Sequence, residues 1–325
     1  MRDKTSASVV VTLLAVQLSF ASLSIVGKVT GAVVPWPALL LLRVLGALAV
    51  FTLWGAARRE PLLPPPGLRA RAMRLGLLGV FANQALFLAG LQRTTAVNAS
   101  VLITTIPLFT TAFAVITGRE RLRGRLVAGM LLAASGLALV LRTDRAAIGH
   151  AGDAMIVLNC AAYGAYLALA RDLVPQHGGI AVVRWAFLAG ALFAVPLGAL
   201  PAAHTLATLT PRVAGALAYV LVVPTAFAYG ANAWCLGRVP ASVVGVFIYL
   251  QPVLAAALAV TVGGPLAAWL GVSLPPESLG PRTLVGGLVV LLGVALATVT
   301  TGSERAAPRS PRTPSEEPLG GDPRR

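Results

Sequence analysis

Acidic residues are scarce: Asp and Glu number 11 in 325 residues, against 26 Lys and Arg. All of them fall in loops, in the C-terminal tail or at the ends of apolar segments, and Asp153 comes closest to entering one. Carriers that exchange a cation for protons commonly hold a carboxylate at mid-membrane depth, where burial raises its pKa into a working range. No such carboxylate is visible.

Histidine (3) and cysteine (2) are rarer still. His150, His177 and His204 sit singly in predicted loops, and Cys160 and Cys235 lie inside apolar runs, so no metal-ligand spacing arises. A nucleophile paired with a base is missing, as is a phosphate loop of the GxxxxGK[ST] kind. The expectation is therefore no catalytic residue, no metal, no cofactor and no enzyme.

What is abundant is apolar surface. The chain is 57% hydrophobic and 11% charged, with a mean hydropathy of +0.82, which is more than one soluble core can hide. Runs of about 20 apolar residues recur, long enough as helices to cross a hydrocarbon layer of about 30 Å. Charges and Pro/Gly breaks place ten spans near 8–27, 36–56, 73–91, 95–117, 126–142, 153–170, 180–200, 213–235, 241–262 and 283–301. The apolar run after Arg2 and Lys4 is too long for a signal peptide and lacks an A-x-A end, which predicts a retained first helix. From 302 to 325 the chain is rich in Pro, Arg, Ser and Glu and is predicted to be a disordered tail.

The net charge of +15 does not indicate a nucleic-acid partner, because the arginines fall between apolar segments and in the tail. With the N-terminus inside, 19 Lys and Arg lie on the cytoplasmic side and 6 outside, leaving Arg43 within a span. The positive-inside rule thus predicts a multi-pass protein of the cell (inner) membrane with both termini cytoplasmic.

An internal repeat constrains architecture further. A-V-N-A-S-V-L-I-T-T-I-P ends at Pro107, and A-S-V-V-G-V-F-I-Y-L-Q-P ends at Pro252. Glu120 precedes Gly129 and Gly136 at the spacings by which Glu277 precedes Gly286 and Gly293. F-A-S-L-S-I-V-G-K, ending at Lys28, resembles Y-G-A-Y-L-A-L-A-R, ending at Arg171. Five helices per copy would invert the second copy in the bilayer. The expected fold class is an all-α integral membrane protein of ten transmembrane helices in two inverted five-helix repeats. Its parts are a short N-terminus (1–7), a first repeat (8–142), a connecting loop (143–152) and a second repeat (153–301). The second repeat carries an outer insertion at 263–277, read as a short interfacial helix anchored by Trp269.

The duplicated order of these marks resembles the drug/metabolite transporter superfamily, in its EamA type. The resemblance rests on Arg43 in the second span, the repeated patterns ending at Pro107 and Pro252, the Gly118-Arg119-Glu120 junction and the glycine-bearing fifth and tenth spans. It implies a ten-span carrier with cytoplasmic termini that exports amino acids, other metabolites or toxic compounds.

Polar and aromatic side chains within spans mark a candidate cavity, because an unpaired amide in hydrocarbon is costly. The substrate-binding candidates are Gln17, Arg43, Asn83, Gln84, Thr104, Asn159, Tyr163, Tyr229, Asn232, Trp234, Tyr249 and Gln251. Interhelical hydrogen bonding would explain any one of them alone. For Arg43 two readings stand: a contact to a substrate carboxylate or gate, or a structural bond to helix carbonyls. Pro107 and Pro252 are candidate hinges, since each removes a backbone donor. The glycines at spacing seven are read as packing.

The leading expectation is an exporter of a small metabolite, such as an amino acid or a related amphipathic compound, working by alternating access in the lipid bilayer, with a homodimer possible. Two alternatives remain. One is a proton-coupled multidrug exporter. The other is a membrane-embedded lipid-modifying enzyme, for which His150 and Asp153 are the only candidates.

Overall fold

A computed structural model describes residues 7–118, 124–141, 148–170, 172–236, 238, 247–273 and 280–303. Described residues form helices and connections, with no strand among them. Eight helices are long and apolar enough to cross a membrane. They are α1 (Ala7–Thr30), α2 (Trp36–Ala57), α3 (Pro66–Leu91), α4 (Ala96–Ile116), α6 (Ile148–Ala170), α7 (Gly179–Ala207), α8 (Pro211–Cys235) and α9 (Ile248–Leu270). Two further helices, α5 (Gly124–Leu141) and α10 (Pro281–Ser303), have shorter apolar stretches.

Local chemistry sets several of the ends. The side chain of Thr95 accepts from the Asn98 amide at 3.0 Å and starts α4, and Thr210 does the same for α8 before Pro211. Pro37 lies in the first turn of α2, where its missing N–H costs nothing.

Three helices depart from regular geometry. Wide π-helical turns occupy Gly76–Ala82 in α3, Val222–Phe227 in α8 and Ala259–Gly263 in α9. α4 breaks at Thr104–Thr105, immediately before Pro107, and α9 opens with a tight 3-10 turn, Ile248–Leu250, before Pro252. Both prolines thus sit in the first turn after an interruption, where they need no donor.

Packing is selective. α2 lies along α7, and α5 along α10; α1 packs on α8 and α9, while α6 packs on α3 and α4. The α5–α10 seam is so close that a Cβ on Gly293 would overlap the Ala133 nitrogen, and one on Gly136 would stand 2.6 Å from the Val290 nitrogen. Backbone contact of this kind is how small residues join helices in lipid.

The described structure revises several expectations. α6 begins at Ile148, so part of the expected connecting loop is helix. α7 runs to Ala207, which puts His204 in its last turn and not in a loop. In place of a separate interfacial helix, α9 continues through a π turn to Leu270, and Trp269 belongs to its last turns. Arg43 is also not the only charge inside a helix. Lys28 donates to the carbonyls of Leu91 and Thr94, and Asp153 accepts from the Thr94 hydroxyl. Arg184, 1% exposed, meets Glu60 at 3.3 Å and the Pro61 carbonyl at 2.7 Å. Helices outlast their apolar cores by a turn or two, so charges that read as loop residues are drawn in with a partner. Glu120 and Glu277, residues 241–246 of the second proline motif, and the tail from 304 onward lie outside the described residues.

Candidate functional site

Seven helices converge on one cavity of about 120 Å³. One water needs roughly 10–15 Å³ by the same kind of measure, so the space suits a solute of amino-acid size. The lining residues come from α1, α2, α3, α4, α6, α8 and α9, and from none of α5, α7 and α10. Along α1 the contributors are Gln17, Phe20 and Leu23, and along α6 they are Asn159, Tyr163 and Leu167. Spacings of three and four keep one helix face toward the space.

Nine of the twelve residues expected from sequence line it: Gln17, Arg43, Asn83, Gln84, Asn159, Tyr163, Tyr229, Asn232 and Gln251. Three do not. Thr104 is fully buried and turns its hydroxyl back to the Val101 carbonyl at 2.6 Å, healing the break in α4. Trp234 is 36% exposed on the bundle surface, with the Arg238 guanidinium 3.8 Å over its ring. Tyr249 packs against Leu108, Ala133 and Val290. The reason is geometric: in a 3-10 turn residues three apart eclipse, so Ile248 and Gln251 face the cavity together and Tyr249 between them points away.

The wall also includes apolar residues that a scan for polar side chains misses, among them Phe20, Phe87, Ile103 and Ile106. One signal for them exists. Phe20 and Tyr163 head the two similar strings ending at Lys28 and Arg171, and both line the cavity. A second signal is fainter: Phe81-Ala82-Asn83-Gln84-Ala85 and Phe227-Ala228-Tyr229-Gly230-Ala231 share the form F-A-x-x-A. In each, the π turn ends within one residue of the Phe-Ala pair, and cavity residues come directly after it. An inserted residue rotates the helix beyond it, which aims Asn83 and Tyr229 inward.

Most polar groups at the site hold one another. Asn159 donates to the Asn83 carbonyl at 2.7 Å, and the Tyr229 hydroxyl faces Asn83 Oδ1 at 3.5 Å. Phe20 and Phe187 stand edge-on to the Tyr229 ring, at 5.9 and 5.1 Å between centroids. Gln251 donates to Gln17 Oε1 at 2.6 Å, joining α9 to α1. Replacing either glutamine by leucine should strand the other's amide and lower stability by about 1–3 kcal/mol, while the double change Gln17→Leu with Gln251→Leu should recover most of that. Thermal melting of the two single variants and the double variant in detergent tests this, and additive losses would refute it.

Two lining residues keep fully buried polar atoms without a hydrogen-bond partner. Arg43 is 1% exposed and spends Nε on the Thr225 hydroxyl at 2.9 Å, but its Nη1 has no hydrogen-bond partner. Gln84, 2% exposed, has neither amide atom paired. A buried cation with an idle donor and an idle amide, both on the wall of the same cavity, offer complementary contacts for a carboxylate and a further polar group. Among the described residues no cluster of His, Cys, Asp or Glu could hold a metal ion, and no acidic residue lines the cavity.

A bundle of apolar helices closed around a polar, aromatic-walled chamber at mid-length has the architecture of a membrane transporter. Comparison with known proteins makes this particular: the EamA-like transporter family profile matches residues 7–142 and 150–299, and the chain belongs to that family. A "probable terminal-alkyne amino-acid exporter" of Streptantibioticus cattleyicolor is 30% identical over 241 residues, covering 73% of this chain and 75% of that protein. An "uncharacterized transporter" of Archaeoglobus fulgidus is 25% identical over 228 residues, 69% of this chain and 74% of its own length. A solved crystal structure shares the fold at a TM-score of 0.59 and 21% identity, covering 90% of this chain and 98% of that one.

Proposed function

We propose that this transporter exports a small amphipathic metabolite of the amino-acid kind by alternating access of two inverted five-helix halves. The observation that carries the reading is the idle Nη1 of Arg43 in a chamber walled by both halves of the chain. The cargo's carboxylate would lie on Arg43, its polar neighbour on Gln84, and its apolar body against Phe20, Phe87, Ile103 and Ile106.

The packing pattern supports a two-fold relation between the halves, and five crossings in each would make that relation an inverted one. Exchanging helix n with helix n+5 turns the α1–α8 and α1–α9 contacts into α6–α3 and α6–α4, and maps α2–α7 and α5–α10 onto themselves; all of these contacts occur. Ten spans with cytoplasmic termini result when α5 and α10 are counted as crossings, and the charge distribution supports that orientation in an inner membrane. The interruptions before Pro107 and Pro252 are the matched places where the halves would flex. The relative named as an amino-acid exporter supports the cargo class.

Purified protein in proteoliposomes, given a panel of radiolabelled amino acids and their carboxylate derivatives, should move at least one, and the same compound should raise the melting temperature. A panel that is neither moved nor bound would sink the reading. The multidrug alternative has less support: Asp153, the acid that would carry the proton, is 1% exposed, accepts from Thr94 and does not line the cavity.

A further inference from the structure

We infer that the exported species carries one net negative charge, so that export is electrogenic and the membrane potential itself drives it outward. This rests on the transporter reading above and on the same site. The cavity's charge inventory is short. Arg43 is the single charged side chain among the described lining residues, and every other polar group there is an amide or a phenol. Lys28, Asp153, Arg184 and Glu60 are engaged elsewhere and do not line the space. Residues 239–246, which precede α9 in the chain, read V-P-A-S-V-V-G-V and contain nothing ionisable.

The side chains of the chamber therefore carry a net charge of one, buried and with a donor unpaired. A zwitterion would satisfy that donor but leave the net charge as it was. It would also bring an ammonium group to a wall with no anion to meet it. A monocarboxylate without a free amine cancels the charge outright, and a neutral complex is the cheaper one to enclose in a low-dielectric bundle. Gln84 can then serve an acyl, keto or hydroxyl neighbour of the carboxylate, since its amide both donates and accepts. The cargo class is an apolar organic acid of amino-acid size whose amine is absent or acylated.

The energetic consequence is direct. An anion moving from an inside-negative compartment to the outside runs down the electrical gradient, and needs no counter-moving proton or intramembrane carboxylate to carry one.

Full-length protein in proteoliposomes would be given a matched pair, N-acetyl-L-leucine and L-leucine, which share a side chain and differ in the amine charge. A potassium gradient with valinomycin sets the potential, and protein-free vesicles report leak. A potential of about 59 mV should shift the steady-state distribution of N-acetyl-L-leucine tenfold toward the positive side, the value for a single charge moved. L-leucine should move at least tenfold more slowly. A distribution of N-acetyl-L-leucine indifferent to the potential, or L-leucine moving as fast with a potential-independent distribution, would overturn the net-charge inference and leave the transporter reading intact. Failure to move either compound or any member of the wider panel would overturn both.

Discussion

Arg43→Leu should give a protein that melts at a higher temperature than the parent and transports carboxylates about tenfold to a hundredfold more slowly. The two effects share one cause. Arg43 is 1% exposed, has one hydrogen bond to Thr225 and keeps an unpartnered Nη1, so the resting protein bears the cost of a buried cation that no described side chain neutralises. Leucine removes that cost and fills much of the same volume. Thr225 loses an incoming bond only, because its own hydroxyl still donates to the Val220 carbonyl at 2.7 Å. The cargo loses charge-assisted bonds worth about 1.5–3 kcal/mol, which sets the size of the transport defect. A purely structural arginine predicts the opposite sign for stability, so melting curves and flux measured on one preparation separate the roles. A variant that melts lower and transports normally would assign Arg43 to the scaffold.

The second large effect lies far from the chamber. Gly293→Leu and Gly136→Leu should each destabilise the protein by about 1–3 kcal/mol or more, and Gly136→Ala by less, with no change in which solutes are preferred. Even a methyl group at Gly293 would overlap the Ala133 backbone nitrogen and stand 2.7 Å from the Gly129 carbonyl, and one at Gly136 would meet the Gly286 carbonyl at 2.7 Å. Backbone cannot rotate aside as a side chain can, so α5 and α10 must separate along their seam. Neither helix contributes a described residue to the cavity wall. Melting temperature should fall while the ratio of transport rates for two solutes stays fixed, and a changed ratio would show that the seam communicates with the site.

Much of the site is legible in the sequence because lipid makes polarity conspicuous. An amide or a phenol inside a 20-residue apolar run must face something other than hydrocarbon, and that rule alone marks Gln17, Asn83, Gln84, Asn159 and Gln251. The same rule is silent on apolar residues, which suit lipid, core and cavity wall alike, so Phe87, Ile103 and Ile106 carry no signal. It also assumes a regular helix. Composition and neighbours assign Tyr249 to the cavity, yet a 3-10 turn swings it out and brings Ile248 in. Trp234 lies on the outer side of α8, where it stacks under Arg238 at the bundle surface. Span edges read from sequence fall short where a charge is drawn into a helix by a partner distant in the chain. Lys28 reaches the carbonyl of Thr94, and Asp153 accepts from the Thr94 hydroxyl, and no local pattern announces either pairing.

The wide turns at Gly76–Ala82 and Val222–Phe227 bear on how such a chamber acquires new cargo. Each accommodates one residue more than a regular helix would at that point. Loss of a single codon there would wind the backbone back to ordinary pitch and swing everything after it by about 100° relative to the preceding turns. Asn83 and Gln84, or Tyr229 and Asn232, would leave the wall together, and a different face of the same stretch of sequence would take their place. Hydropathy and span length would survive, while the segment after the turn would have to repack. A lineage could thus exchange a block of recognition chemistry through one deletion event instead of many separate substitutions.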